Sequence, residues 1–145
     1  MTSYPKPDEV LPHRPPFLFV DEITRIEPGV TAAGTWTPAG DEWFFAGHFP
    51  NRPTLPGVLM CEAIAQVGAI AVLRDGRFAG KLPLFGGIDG ARFRRQVGPG
   101  DTLWLEVEMG RLSARAGKGA GRARLGGPDG AVATSCDLLF VVVDA

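Results

Sequence analysis

Cysteine and histidine are scarce in this 145-residue sequence, which contains two of each. Cys61 and Cys136 stand far apart without CxxC spacing, and Cys61 lies inside an apolar run. Zinc sites and disulfide scaffolds need more cysteines at closer spacing, so neither is predicted, and two isolated thiols fit a reducing compartment. With only His13 and His48 available, acid–base chemistry near neutral pH has few candidate side chains.

Motifs of several large protein classes are also missing. The formal net charge of -1 argues against a general nucleic-acid-binding protein. GKGAGR, at residues 117–122, lacks the final glycine of a dinucleotide fingerprint, and no GKS or GKT supports a phosphate loop. Neither GxSxG nor HExxH occurs, so we expect no serine hydrolase, no cofactor and no metal. Residues 1–16 contain no apolar signal-peptide core, so we expect a cytoplasmic protein.

One long apolar run, TLPGVLMCEAIAQVGAIAVL at residues 54–73, has nearly the length of a membrane span. Glu62 lies near its centre, Gln66 follows one turn later, and no basic anchor flanks the run. Because a charge at the centre of a span is costly, these residues favour a helix buried in protein. Pro56 suits the first helical turn, and an Arg-Asp-Gly sequence ends the helix. The prediction is one long buried helix without membrane association.

Short β-favouring segments surround this run. Residues 17–37 contain a Glu-Pro-Gly turn and predict two strands, and DEWFF at residues 41–45 predicts one helical turn. Four further strands follow, separated by GPGD and GPDG turns, and apolar and polar residues mostly alternate in residues 103–109. The chain is therefore predicted to be a single domain, residues 1–145, of the α+β class, with an antiparallel sheet wrapped around one long central helix.

The central helix also suggests an oligomer. A helix that is apolar on every face must be covered on every face, and one modest sheet wraps only part of it. We therefore expect a second copy of the chain to cover the rest.

His48 and Glu62 are the candidate catalytic residues. His48 lies in a predicted loop among phenylalanines and prolines, including Phe49, whose rigidity can hold an imidazole at a fixed angle. Glu62 is the only charged residue of the apolar run, and burial of a carboxylate raises its pKa and prepares it to donate a proton. Each has a structural alternative: a histidine hydrogen-bonded for packing, and a glutamate that bridges backbone groups.

Groups near the start of the helix extend this set. The free N–H groups of Gly57 and Val58, at the positive end of the helix dipole, can stabilise an oxygen that develops negative charge. Gln66 can orient the Glu62 carboxylate or a water, or can bind a backbone carbonyl instead. His13 is expected to position the first strand or bind a backbone carbonyl. A base, an acid and oxyanion donors suit a thioester, since α-proton removal charges its carbonyl oxygen and a protonated β-hydroxyl leaves as water.

Positive charge concentrates after the helix. It suits either an acidic partner or a solvated strand face, and high salt would weaken only the first. The residues are Arg92, Arg94, Arg95, Arg111, Arg115, Lys118, Arg122 and Arg124.

Three segments together resemble one known family: LPHRPPFLFVD, FFAGHFPNRPTLPGVLMCEAIAQVGAIAVL and FGGIDGARFRRQVGPGDTL. They are similar to the bacterial 3-hydroxyacyl-(acyl carrier protein) dehydratases of type II fatty acid synthesis, and the similarity covers most of the chain. Its most specific part is GHFPxxPxxPG followed by an apolar helix with one glutamate. The resemblance implies a hot-dog fold and no cofactor.

The resemblance also implies roles for individual residues. The family's catalytic histidine and glutamate match His48 and Glu62. His48 would take the α-proton, Gly57 N–H would polarise the thioester carbonyl, and Glu62, directly or through a water, would protonate the departing hydroxyl. A (3R)-3-hydroxyacyl thioester would become a trans-2-enoyl thioester, in fatty acid or related acyl or polyketide biosynthesis. The remaining substrate-binding candidates are Phe49, Val58 and Gln66.

Partners follow from the same resemblance. The substrate would arrive on the phosphopantetheine arm of an acyl carrier protein. The family forms homodimers in which the histidine of one subunit meets the carboxylate of the other, usually as a trimer of such dimers. Neither a nucleic acid nor a membrane is expected as a partner.

Two other functions are compatible with the sequence. A hot-dog acyl thioesterase would share the fold and a helix carboxylate but release a free thiol, and the pairing of His48 with Glu62 argues against it. A non-catalytic acyl-binding subunit would keep the fold without chemistry, and the intact His48, Gly57 and Glu62 argue against it.

Overall fold

Residues 3–145, the part of the chain that the computed structural model describes, form one sheet packed against a long helix. The six strands lie in the order β1-β2-β4-β5-β6-β3, and every neighbouring pair is antiparallel. This confirms the predicted α+β class with an antiparallel sheet and one central helix. The elements are α1 (Pro7–Val10), β1 (Glu22–Glu27), β2 (Thr31–Trp36), α2 (Trp43–His48), α3 (Gly57–Leu73), a 3₁₀ turn (Gly76–Phe78), β3 (Lys81–Phe93), β4 (Leu103–Leu112), β5 (Ala116–Leu125) and β6 (Val132–Asp144).

Turns separate the strands at the predicted positions. β1 and β2 form a hairpin in which Glu27 faces Thr31, and Gly29 in the turn has a φ of 74°, a left-handed backbone that glycine favours. Buried and more exposed residues alternate from Leu103 to Met109 in β4, as predicted. Four strands, β3 to β6, follow α3, as predicted.

The central helix α3 is covered within a single chain. It contacts β2, β3, β4, β5 and β6, and apart from Glu62 every residue from Met60 to Val72 is buried. The reason given for a dimer, that a second chain must cover this helix, is therefore wrong: the N-terminal segment and the aromatic residues of α2 join the same buried cluster and complete the cover. Within residues 3–145, no helix is both long and apolar enough to cross a membrane.

The glycine-rich segment is strand β5, and its inward positions are all small. Gly117, Gly119, Gly121 and Ala123 are buried, whereas Lys118, Ala120 and Arg122 between them are exposed. A Cβ at Gly121 would lie 2.2 Å from the Ile64 Cγ2 atom of α3. The alternating glycines therefore let the central helix lie directly against this strand.

Strand β3 forms one edge of the sheet, because it pairs only with β6. Leu84, Phe85 and Ile88 on this strand are 45%, 37% and 41% exposed. An unpaired edge with exposed apolar side chains is a typical site of association. The apolar surface that one chain leaves uncovered thus includes an edge of the sheet rather than the body of the central helix.

Candidate active site

His48 is the last residue of α2 and does not lie in a loop, contrary to the prediction. The buried side chains of Phe44 and Phe45 anchor this short helix in the core. The helix ends here because Phe49 precedes Pro50, and steric contact with a proline disfavours helical backbone at the residue before it. The imidazole is therefore held at the end of a packed helix.

A hydrogen bond fixes the tautomer of His48. Its Nδ1 atom lies 2.9 Å from the carbonyl oxygen of Thr54. Because a carbonyl only accepts, Nδ1 of the neutral ring carries the proton and donates it, and Nε2 keeps a free lone pair. The Phe49 ring lies against the imidazole, with ring centroids 4.1 Å apart. This orientation suits a base that accepts a proton at Nε2.

His48 lines a cavity of about 370 Å³ at the N-terminus of α3. Gly57 and Val58 line the same cavity. Their N–H groups donate to no backbone carbonyl in residues 3–145, because the first turn of a helix lacks preceding partners. These donors, at the positive end of the helix dipole, can bind a carbonyl oxygen beside the imidazole. The other lining residues are Phe49, Thr54, Leu55, Met60, Phe93, Arg94, Arg95 and Gln96.

Gly57 allows close approach at this point. A Cβ built on Gly57 would lie 2.6 Å from the ring of Phe93, at the end of β3. A side chain at this position would therefore collide with the Phe93 ring. Glycine lets this ring pack directly against the first turn of α3, beside the cavity.

Glu62 is held by the side chain one turn further along α3. Gln66 Nε2 donates to Glu62 Oε2 over 3.0 Å and to the carbonyl of Phe17 over 2.9 Å, while Gln66 Oε1 accepts from the N–H of Phe19 over 2.8 Å. Both roles considered for Gln66 are therefore realised at once. Burial raises the pKa of the Glu62 carboxyl, and the hydrogen bond from Gln66 offsets part of that rise. Glu62 can thus keep a proton at a higher pH than an ordinary carboxyl.

His13 reaches the same carboxylate, which the sequence did not predict. Its Nε2 lies 3.7 Å from Glu62 Oε2, and its Nδ1 is buried without a hydrogen-bond partner in the described part of the chain. The expected bond to a backbone carbonyl is thus wrong. No local signal in LPHRPPF indicates this contact, because Glu62 lies far from His13 in the chain.

Within one chain, the candidate residues form two separate groups. His48, Phe49, Gly57 and Val58 share the cavity, and Glu62 is not part of its lining. Glu62 instead has polar contacts with Gln66 and His13 among residues 3–145. The base and the oxyanion donors thus line one cavity, whereas the acid lies outside that lining.

The side chains that could bind a metal ion do not cluster in the described residues. Among residues 3–145, no group of three or more His, Cys, Asp or Glu side chains is placed to hold an ion. Cys61 and Cys136 are buried free thiols whose side chains are neighbours. The Cys61 thiol and burial raise the pKa of Cys136. The Cys136 thiol therefore stays protonated in the core.

Comparison with known proteins identifies the family of this chain. A family model described as a FabA-like domain matches residues 11–134. A Moorella thermoacetica protein named 3-hydroxyacyl-[acyl-carrier-protein] dehydratase FabZ is 53% identical over 133 residues, which is 92% of this chain and 91% of the relative. A protein of the same name from Staphylococcus epidermidis is 46% identical over 143 residues, 99% of this chain and 97% of the relative.

A solved structure shares the fold. It is described as the dehydratase heterocomplex ApeI:P from Xenorhabdus doucetiae, and it superimposes with a TM-score of 0.79 at 17% identity over 99% of this chain and 93% of that one. At this identity the likeness establishes the hot-dog fold alone. The family model and the two relatives go further: this chain belongs to the FabA-like family, in the group of the FabZ 3-hydroxyacyl-(acyl carrier protein) dehydratases.

Proposed function

We propose that the protein dehydrates (3R)-3-hydroxyacyl-(acyl carrier protein) to trans-2-enoyl-(acyl carrier protein). The observation that carries this proposal is the shared cavity of His48 and Gly57, in which a proton acceptor and a free N–H donor face the same space. The name that both relatives carry supports the same reaction. A hydrolytic reaction has no comparable support, since the relatives are named for dehydration.

The reaction can be written with these groups. His48 Nε2 takes the α-proton of the thioester while the Gly57 N–H, assisted by Val58 N–H, stabilises the negative charge on the thioester oxygen. Glu62 gives its proton to the β-hydroxyl, so that the C–O bond breaks, the C=C bond forms and water leaves. His48 then returns its proton to Glu62 through water, and no cofactor takes part.

The active site is proposed to form between two copies of the chain. Glu62 does not line the cavity of His48 in residues 3–145, and β3 presents an unpaired apolar edge there. Antiparallel pairing of this edge with that of a second copy would cover Leu84 and Ile88. It would let the histidine of one subunit meet the carboxylate of the other. Such dimers would assemble further into a trimer of dimers.

The acyl carrier protein is proposed to dock beside the cavity. Arg94 and Arg95 are exposed and line the same cavity as His48. Two guanidinium groups at this mouth would attract an acidic carrier protein and the phosphate of its phosphopantetheine arm. The buried free thiols of Cys61 and Cys136 suit a reducing compartment, and we propose the cytoplasm.

A single assay tests the reaction. Purified protein is incubated with a 3-hydroxyacyl thioester, and the enoyl chromophore and free thiol are followed together. Enoyl thioester at equilibrium without thiol release supports the proposal. Thiol release without enoyl product would favour a thioesterase, and an inert protein a non-catalytic acyl-binding subunit. The variant Glu62→Gln is assayed beside the wild-type protein. Its control is Glu22→Gln, which changes an exposed carboxyl of β1.

A further inference from the structure

His13 is the one basic side chain within 4.0 Å of the Glu62 carboxylate in residues 3–145. Its Nε2 atom lies 3.7 Å from Oε2, the oxygen that Gln66 also contacts. No other ionisable group of the described chain has a hydrogen bond or an ion pair with Glu62. The proposed reaction gives His13 no task.

The chemistry of the neighbours determines which way Gln66 points. The backbone N–H of Phe19 can only donate, so the atom of Gln66 that meets it must be the amide oxygen. The amide nitrogen therefore faces the Phe17 carbonyl and Glu62 Oε2, and donates to both. Oε2 of Glu62 is thus an acceptor whatever the protonation state of the carboxyl.

The same reasoning applies to His13. Nδ1 is buried without a partner in the described part of the chain, and a buried N–H without an acceptor is costlier than a buried lone pair. The proton of the neutral ring therefore lies on Nε2, which faces Glu62 Oε2. Burial lowers the pKa of His13, so the ring stays neutral. Gln66 thus donates a hydrogen bond to Oε2, and the N–H of His13 lies 3.7 Å from the same oxygen.

The second carboxyl oxygen is left for chemistry. Oε1 of Glu62 accepts no hydrogen bond from residues 3–145 and is not sealed from solvent, the Glu62 side chain being 19% exposed. We propose that His13 is a positioning residue that, together with Gln66, holds Oε2 of Glu62 as an acceptor and so keeps the acid's proton on Oε1. This inference deepens the proposed function and rests on it.

The arrangement serves both halves of the proton transfer. A proton on Oε2 would be forced against two N–H groups, so the acid presents its O–H from Oε1 to the β-hydroxyl of the substrate. After the transfer, the same two donors stabilise the negative charge that remains on the carboxylate. His13 acts on the reaction only through Glu62.

Substitution of His13 tests this role. His13→Leu removes the Nε2–H donor while keeping an apolar side chain, and His13→Gln retains an amide N–H of similar reach. For His13→Leu we expect an unchanged KM, a kcat lowered about tenfold and a higher pKa of Glu62, because the variant lacks the polar N–H group beside the charged carboxylate. We expect His13→Gln to recover most of the rate.

The pKa of Glu62 is read directly, by ¹³C NMR titration of the labelled carboxyl group in each variant. This readout does not need turnover, so a wild-type protein without dehydratase activity would refute the proposed function and leave the titration to decide the present inference. An unchanged Glu62 titration in His13→Leu would overturn it, as would equal losses of rate in both variants. If His13→Leu does not fold, His13→Asn, whose amide is too short to reach Oε2, replaces it with the same expected results.

Discussion

Gln66 and Glu62 are joined by a hydrogen bond of 3.0 Å between Nε2 and Oε2, one helical turn apart on α3. The same glutamine binds the backbone of Phe17 and Phe19, 49 and 47 residues away in the chain. One buried amide therefore connects the candidate acid to the segment that leads into β1. Stability and reactivity are coupled at this side chain.

Replacement of Gln66 by leucine should destabilise the protein. Gln66→Leu leaves the Phe17 carbonyl and the Phe19 N–H without their partner, and we expect the free energy of unfolding to fall by about 2–4 kcal/mol. Urea denaturation measures the change. The control is Gln96→Leu, at the only other glutamine, whose exposed side chain predicts a change within about 0.5 kcal/mol. Equal stability of the two variants would contradict the buried hydrogen bonds.

Glu62 should make the stability of the protein depend on pH. Because its pKa is raised in the folded state, the folded protein binds this proton more tightly than the unfolded chain does. The resulting stabilisation is complete below the ordinary carboxyl pKa and is lost as pH rises through the raised value. Glu62→Gln lacks this titration, so the Tm difference between this variant and wild type should shift in favour of the variant as pH rises above the ordinary carboxyl pKa of about 4. Parallel Tm curves would show that the carboxyl is not perturbed.

Mixing of inactive variants should restore activity. His48→Ala and Glu62→Gln are each expected to lower the rate by two orders of magnitude or more, as about 10²-fold is typical for loss of a general acid or base. A mixed dimer of the two would contain one intact site and one doubly altered site. Refolding of an equal mixture should therefore recover about a quarter of the wild-type rate. No recovery, in the presence of mixed dimers, would place both residues in one chain's site.

The basic residues at the cavity should affect the KM for carrier-bound substrate only. Arg94→Glu and Arg95→Glu are expected to raise KM for a carrier-bound substrate on the order of tenfold at low salt, because they oppose an acidic partner. KM for a small thioester should not change. Arg25→Glu, an exposed charge reversal on β1, is the matched control. If all three variants have the same KM for carrier-bound substrate, the carrier protein does not dock at the mouth of the His48 cavity.

Local patterns were enough to predict the main elements. The apolar run with its proline start predicted α3, alternation predicted β4, and turn residues separated the strands. The lone carboxylate in that run identified Glu62, because the cost of burying a charge is visible in the sequence itself. Its perturbed pKa in the structure agrees with that reasoning.

Other features depended on residues far apart in the chain. Only tertiary packing explains the glycines of β5, since Gly121 lies against Ile64, and the sequence around His13 does not indicate its approach to Glu62. The prolines around His48 predict a loop, whereas the packing of Phe44 and Phe45 extends α2 to the histidine.

Sequence by itself determined which residues could do the chemistry, since side-chain type and helix position depend on near neighbours. Only the tertiary structure decided how they are oriented. The lone pair of His48, the donors on Glu62 Oε2 and the separation of the two groups each depend on contacts across the fold. Directional hydrogen bonds act over about 3 Å, and distant segments reach that range only when the whole chain packs.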